Sequence, residues 1–264
     1  MSENLRVAAV QFEAKVGDRA GNLARFERLV ADHADRLDLM VFPELFTTGY
    51  DLDAIRAEGA DLADTIPGRT TELATALAAR HRVTLSLTLL ERQDGRLYDT
   101  TALVTASGVV GRYRKTHLYP AEVGVLAPGD ALEVVDVDGV RYGPMICFEH
   151  AFPDVAAALA LRGAQILLIP SAVPRGYEYL LTLRTRARAQ DNQLFAVAAN
   201  LVEERPNGYC GLSMIAAPDG RVLAEARSHG EAVVEAEIDL EEIESERVRE
   251  PALGMRRPEL YGSR

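Results

Sequence analysis

Three residues of unlike chemistry each follow a run that reads as a strand. Leu39–Met40–Val41–Phe42–Pro43 delivers Glu44, Gly111–Arg112–Tyr113–Arg114 delivers Lys115, and Gly143–Pro144–Met145–Ile146 delivers Cys147. Strand ends of an α/β sheet commonly face a ligand crevice. Taken singly, each residue has an ordinary explanation: Glu44 as a cap after Pro43, Lys115 as a solvated strand end, Cys147 as a small core hydrophobe. Taken together they have the elements of covalent catalysis at a carbonyl. A thiol supplies the nucleophile, a carboxylate takes its proton, and a cation stabilises the oxyanion. Lysine usage sharpens this, because only Lys15 and Lys115 among 29 basic residues are lysines. A chain that otherwise uses arginine has placed at 115 a compact ammonium with three rotatable donors.

Other chemistries are poorly supported. Cys210, in Gly208–Tyr209–Cys210–Gly211, has no acid or base partner of matching character and reads as a buried structural thiol. His33, His81, His117, His150 and His229 show neither pairing with glutamate at helical spacing nor a Cys/His cluster, so a zinc site is not indicated. No phosphate loop and no nucleophile elbow around a serine is present.

A formal net charge of -11 disfavours nucleic acid as a partner, since phosphate binding needs a basic face. Met1 to Glu3 lead directly into the apolar run Leu5 to Phe12, so neither a signal peptide nor a membrane span is expected. Two cysteines without a secretory signal point to a reducing, cytoplasmic setting and not to a disulfide framework.

The elements that would position the three residues alternate along the chain. Strands are expected at Leu5–Gln11, Leu39–Phe42, Val83–Leu90, Tyr98–Thr105 and Val109–Arg114, with helices at Asn22–Leu37 and Thr71–Arg82. The second half repeats the style, with strands at Leu132–Val137, Arg141–Cys147, Gln165–Pro170, Phe195–Asn200, Leu212–Ala216, Arg221–Glu225 and Ala232–Ile238. Its helices are expected at Pro153–Arg162 and Tyr179–Asn192, and Pro218–Asp219–Gly220 makes a hairpin turn. Two mixed sheets with helices outside would cover every apolar face. A single domain over residues 1–264 is expected, with the charged stretch from about Glu241 forming a C-terminal arm.

The segments around the three residues resemble the signatures of the nitrilase superfamily of carbon–nitrogen hydrolases. These are Phe42–Pro43–Glu44–Leu45, Tyr113–Arg114–Lys115–Thr116–His117–Leu118 and Ile146–Cys147–Phe148–Glu149, in the family's order. Thr48–Gly49–Tyr50, Pro128–Gly129, Phe152–Pro153, Arg186–Ala187–Arg188–Ala189, Ala199–Asn200 and Arg256–Arg257–Pro258 extend the likeness over nearly the whole chain. The resemblance implies a four-layer αββα sandwich, a homodimer or higher homo-oligomer, and no metal or organic cofactor. It also implies roles: Cys147 attacks, Glu44 is general base and then acid, and Lys115 with the Phe148 N–H holds the oxyanion. Glu122 follows Lys115 at a distance resembling the family's additional glutamate, which orients the lysine and the substrate; its ordinary reading is a loop glutamate.

Departures from the pattern bear on the substrate. Nitrile-cleaving members usually carry tryptophan directly after the cysteine, and this chain has no tryptophan, with Phe148 in that position, although Glu149–His150 resembles the Glu–His that follows Cys–Trp in some nitrilases. A small amide or carbamoyl compound is therefore expected, with nitrile cleavage or an inactive binding protein on the same fold as alternatives. Members that grip a substrate carboxylate often use arginine three or four residues after the cysteine, where this chain has His150 and Ala151. Arg175 could supply a cation from another loop, or be solvated. Tyr50, His150 and Arg175 complete the candidate substrate contacts.

Overall fold

The computed structural model describes residues 4–261. Its first half contains β1 (Asn4–Gln11), α1 (Arg19–His33), β2 (Leu39–Val41), α2 (Leu52–Leu62), α3 (Arg69–His81), β3 (Thr84–Gln93), β4 (Arg96–Thr105) and β5 (Gly108–Arg114). The second half adds β6 (Val135–Val137), β7 (Val140–Pro144), α4 (Pro153–Leu161), β8 (Ile166–Ser171), α5 (Glu178–Asn192), β9 (Phe195–Asn200), β10 (Met214–Ala216) and β11 (Val222–Glu225). β12 (Ala232–Asp239), α6 (Glu241–Arg249) and α7 (Pro258–Tyr261) close the described chain.

Two six-stranded mixed sheets form, in the orders β12-β1-β2-β3-β4-β5 and β11-β10-β9-β8-β7-β6. In the first, β1, β2 and β3 run parallel, while β12, β4 and β5 pair antiparallel. In the second, β7, β8 and β9 are the parallel centre. The strand side-chain period of two sorts the core. Val7, Ala9, Leu39, Val41, Ile166, Leu168, Phe195 and Val197 meet between the sheets. Their neighbours Ala8, Val10, Met40 and Phe42 turn outward onto Phe26 and Val30 of α1 and Leu77 of α3. On the far side Leu167, Ile169, Ala196 and Ala198 pack on Val155 and Leu159 of α4 and Leu181 and Ala189 of α5. The result is the expected αββα layering, which leaves each central strand without an uncovered face.

The expected strands and helices form with shifted ends. The sixth strand starts at Val135 instead of Leu132, and the seventh stops at Pro144, three residues short of Cys147. It stops because the Ile146 N–H bonds the Glu149 side chain at 2.7 Å instead of a neighbouring strand. Two longer helices lie where none was expected. α2 is capped by Asp51, which accepts from the Asp53 and Ala54 N–H groups, and it buries only Ile55 and Gly59. α6 begins the charged C-terminal stretch and sends Ile243 into the core between the sheets.

One close approach fixes the strand that leads to Lys115. The Gly129 N–H donates to the Lys115 carbonyl at 2.8 Å, and a Cβ on Gly129 would overlap the Arg114 carbonyl oxygen. Gly129→Ala is expected to cost about 1–3 kcal/mol by forcing these backbones apart. Urea unfolding should show this as a lower midpoint with an unchanged slope.

Candidate active site

The three chemically suggestive residues converge, although only Lys115 directly follows a strand. Glu44 lies three residues beyond β2, on a segment pinned by the aromatic contacts Phe26–Phe42 (4.9 Å between centroids) and Phe42–Phe46 (5.1 Å). Lys115 is aligned by its N–H, which donates to the Asp99 carbonyl of β4 at 2.9 Å. Cys147 opens a 3-10 turn, Cys147–Ala151, with φ of 44°, the left-handed region that a non-glycine residue adopts at a cost of about 1–2 kcal/mol. Leu45, beside Glu44, has a similar φ of 48°. Both strained positions lie at or next to a proposed reacting group.

Lys115 Nζ donates to Glu44 Oε1 and to Glu122 Oε1, each at 2.7 Å, and lies 3.6 Å from Asp99 Oδ2. All four side chains are buried. Glu122 is fully engaged: Oε1 also accepts from the Tyr50 hydroxyl at 2.6 Å, and Oε2 accepts from the Tyr119 N–H at 2.6 Å. Among the described residues, Glu44, Asp99 and Glu122 are the one carboxylate group close enough to share a metal ion. The Lys115 ammonium occupies the position between them, so a cation there meets like charge.

The electrostatics follow from that enclosure. Burial pulls the Lys115 ammonium down, but Glu44, Asp99, Cys147 and Glu122 outweigh it and hold the pKa well above the usual lysine value. Burial, aided by the Glu44 charge, pushes Asp99 well above the carboxylate range, and burial likewise raises Glu122. Burial and Glu44 also raise Cys147, against the pull of Lys115 and the Ala172 N–H. The resting group is thus a thiol.

Glu149 ties the cysteine turn to the lysine strand. Its Oε1 accepts from Tyr113 Oη and Thr116 Oγ1, each at 2.6 Å, and from the Thr116 N–H at 2.8 Å, while Oε2 takes the Ile146 N–H. Burial raises this carboxyl, but hydrogen bonds from His117, Thr116, Tyr113 and Ile146 win, and its pKa is lowered. Arg188 of α5 braces the same turn by donating to the His150 carbonyl at 3.1 Å.

Cys147 opens into a cavity of about 430 Å³ whose walls include Tyr50, Phe148, Val173, Leu180 and Tyr209. His150 lines it as well, 2% exposed, with Nδ1 unpartnered and the ring pushed down to about 3 by burial and by Arg184 and Arg188. Its imidazole is therefore neutral at ordinary pH. The Phe148 N–H, second in its turn, has no carbonyl partner among the described residues. Arg175 is a correction: it points away from the cavity and donates to the Glu203 and Ser228 carbonyls at 3.0 and 3.1 Å. Carbonyls of the neighbouring loops capture it before it can face a ligand. Arg184 of α5 lines the cavity instead and makes no ion pair among the described residues. Asp99, Glu149 and Arg184 were missed as site residues. An aspartate inside an apolar and threonine run was the one available signal for Asp99.

The geometry brings a buried carboxylate and ammonium together with a half-buried thiol at a cavity, and comparison with known proteins identifies the family. A family model described as carbon–nitrogen hydrolase matches residues 6–248. An (R)-stereoselective amidase from a Pseudomonas species is 36% identical over 238 residues, covering 89% of this chain and 86% of that protein. A nitrilase from Pyrococcus abyssi is 33% identical, covering 93% of this chain and 94% of its own. The solved structure of Saccharomyces cerevisiae Nit3, a nitrilase-superfamily member, superposes with a TM-score of 0.87 at 26% identity, covering 99% of this chain and 98% of Nit3. The chain belongs to the carbon–nitrogen hydrolase family of the nitrilase superfamily. It is a hydrolytic enzyme with the αββα fold of that family.

Replacing Glu149 by glutamine should cost about 3 kcal/mol in unfolding free energy, because donors that faced a carboxylate lose it in a buried setting. A lowered folded pKa contributes stability that is present above the unfolded value of about 4.3 and lost as pH falls through the folded value. Denaturation across pH should therefore show a constant gap between the two proteins at neutral pH, closing below about pH 4.

Proposed function

We propose that the enzyme hydrolyses the C–N bond of a small amide or carbamoyl compound through a thioester on Cys147. The observation that carries this is the buried Glu44–Lys115 pair behind a thiol that opens into an otherwise largely apolar cavity. Glu44 takes the thiol proton as sulfur bonds to the substrate carbonyl carbon. Lys115 Nζ and the Phe148 N–H receive the oxyanion, a type of contact contributing about 3–4 kcal/mol per donor. Glu44 then returns the proton to the leaving nitrogen, and ammonia or an amine departs as the C–N bond breaks. Water attacks the thioester with Glu44 as base, and the released sulfur recovers the proton. Glu122 orients Lys115, and Tyr50 forms the wall above it.

Amides are favoured over nitriles because Phe148 stands where nitrile-cleaving members carry tryptophan. The nitrilase of Pyrococcus abyssi keeps nitrile cleavage as the second reading. That reading predicts carboxylate formation from nitriles without accumulation of amide.

Arg184 defines the far end of the substrate. It is an arginine on the cavity wall, opposite no acid among the described residues, beside a neutral His150. An amide whose other end carries a carboxylate fits this arrangement, with apolar atoms between the two ends against Val173 and Leu180.

The working unit is proposed to be one hydrolase domain per chain, with a C-terminal arm from about Glu241, assembled as a homodimer. Tyr179 and Leu183, one turn apart on α5 and 65% and 60% exposed, offer an apolar face to a second copy. Both cysteines are free, which suits a reducing cytoplasm. No helix among the described residues is long and apolar enough to cross a membrane.

Cys147→Ala should abolish ammonia release from an amide panel, and full retained activity would sink the assignment. Arg184→Ala should raise KM about 10–100-fold for an acid-ended amide and leave a neutral amide of equal length within about threefold. Equal effects on both substrates would remove Arg184 from the carboxylate site. Equilibrium sedimentation should give a dimer, and Leu183→Asp should shift it toward monomer.

A further inference from the structure

Asp99 sits in the middle of β4, paired across from Leu90 of β3 and on the strand face that turns toward the second sheet with Leu103. It is fully buried, and neither of its side-chain oxygens has a conventional hydrogen-bond partner. Glu44 Oε2 is orphaned in the same way. One oxygen each of Asp99, Glu44 and Glu122 lie within 4.8 Å of one another. Among the described residues, Lys115 is the one cation paired with them, and Tyr50, Tyr209 and the Cys147 thiol are the other titratable groups that sense the cluster. With all three carboxyls ionised, one ammonium would leave a buried charge of about minus two, a state that proteins relieve by protonation. Glu122 already accepts from Lys115, Tyr50 and the Tyr119 N–H, whereas the Asp99 and Glu44 carboxyls, which face each other, retain unsatisfied oxygens. A proton on Asp99, donated to Glu44 Oε2, satisfies a donor and an acceptor with one bond.

We propose that Asp99 is a positioning residue: a neutral carboxylic acid whose O–H donates to Glu44 Oε2 and holds the general base toward Cys147 and Lys115. This rests on the Cys147 thioester reading of the site. The Asp99 proton stays in place through the cycle, while the proton moved in catalysis travels from Cys147 Sγ to Glu44 and on to the leaving nitrogen. A second, neutral carboxyl beside the base thus orients it without adding negative charge to the buried cluster. The same residue aligns Lys115 through its backbone carbonyl, so β4 positions both the acid–base group and the cation.

The test compares Asp99→Asn with Asp99→Leu on an amide substrate. Asparagine keeps a neutral N–H donor toward Glu44, so kcat should stay within about fivefold of wild type, with the acid limb of its pH profile unmoved. Leucine removes the donor: kcat should fall about 100-fold with KM within about threefold. The acid limb should rise by about one pH unit, because the base loses a hydrogen bond that favours its charged form. A loss in Asp99→Asn as deep as that in Asp99→Leu would overturn the proposal, since it would make the ionisable carboxyl itself necessary. Wild-type protein labelled with ¹³C at aspartate carboxyls provides a readout that needs no variant. One carboxyl should keep the chemical shift of the protonated form from about pH 5 to about pH 9. Its absence overturns the neutral acid whether or not the variants fold. If Cys147→Ala retains activity while this protonated carboxyl is observed, the thioester reading has failed and the charge state of Asp99 has not.

Discussion

Burying one ammonium among three carboxyls is the constraint on which the proposed active centre rests. Lys115 is buried away from water, donates to Glu44 and Glu122, and lies 3.6 Å from Asp99. Removing the Glu44 carboxylate, a direct partner of the ammonium, would leave a charge that the interior solvates poorly. Asp99 and Glu122 in turn feel the Lys115 and Glu44 charges in their protonation states. The same balance sets the thiol. Burial and Glu44 keep the Cys147 thiol protonated at rest, so in the proposed reaction it gives up its proton only as it bonds to the substrate carbonyl.

Such a cluster has to be assembled from both halves of the chain, and the sandwich does this with short links. Glu44 follows β2 and Lys115 follows β5 in the first sheet, whereas Cys147 follows β7 in the second. Glu149 is the cross-brace, because one carboxylate gathers donors from the Lys115 segment and from the cysteine turn. Its lowered pKa expresses how well those donors suit a charge. The left-handed backbone at Leu45 and Cys147 is held in place by packing on either side: Phe42 and Phe46 around Glu44, and Arg188 on the His150 carbonyl.

Much of this was readable from residue order, for physical reasons that also mark where reading stops. The nearly unbroken apolar runs of β1, β8 and β9 announce strands covered on both faces, and the strand-like runs before Glu44, Lys115 and Cys147 bring those residues near strand ends. α2 and α6 escaped because each buries only two residues, too few to print a helical period on a charged stretch. Asp99 was hidden inside a strand, where a side chain's meaning depends on which groups the neighbouring sheet places opposite it. That Arg184 and not Arg175 lines the cavity was hidden for a similar reason. The direction of a loop arginine depends on carbonyls far away in sequence, such as those of Glu203 and Ser228. The reach of Arg184 depends on how α5 packs against the cysteine turn.

Charge conservation explains why a fixed cation serves this chemistry. In the proposed reaction, Glu44 becomes neutral when it takes the Cys147 proton, and the negative charge reappears on the substrate oxygen. Both positions are proposed to be in reach of the same Lys115 ammonium, so the buried net charge is unchanged as the tetrahedral state forms. The desolvation cost already met on folding is not met again at the barrier, and the ammonium need not move to follow the charge. Glu122 and its partners Tyr50 and Tyr119 keep that ammonium stationary. An arginine in place of Lys115 would spread its charge over a broad plane and satisfy the acids at rest, but could not present one compact donor to two successive anions. A lysine at this position in a chain that otherwise uses arginine almost everywhere follows from that requirement.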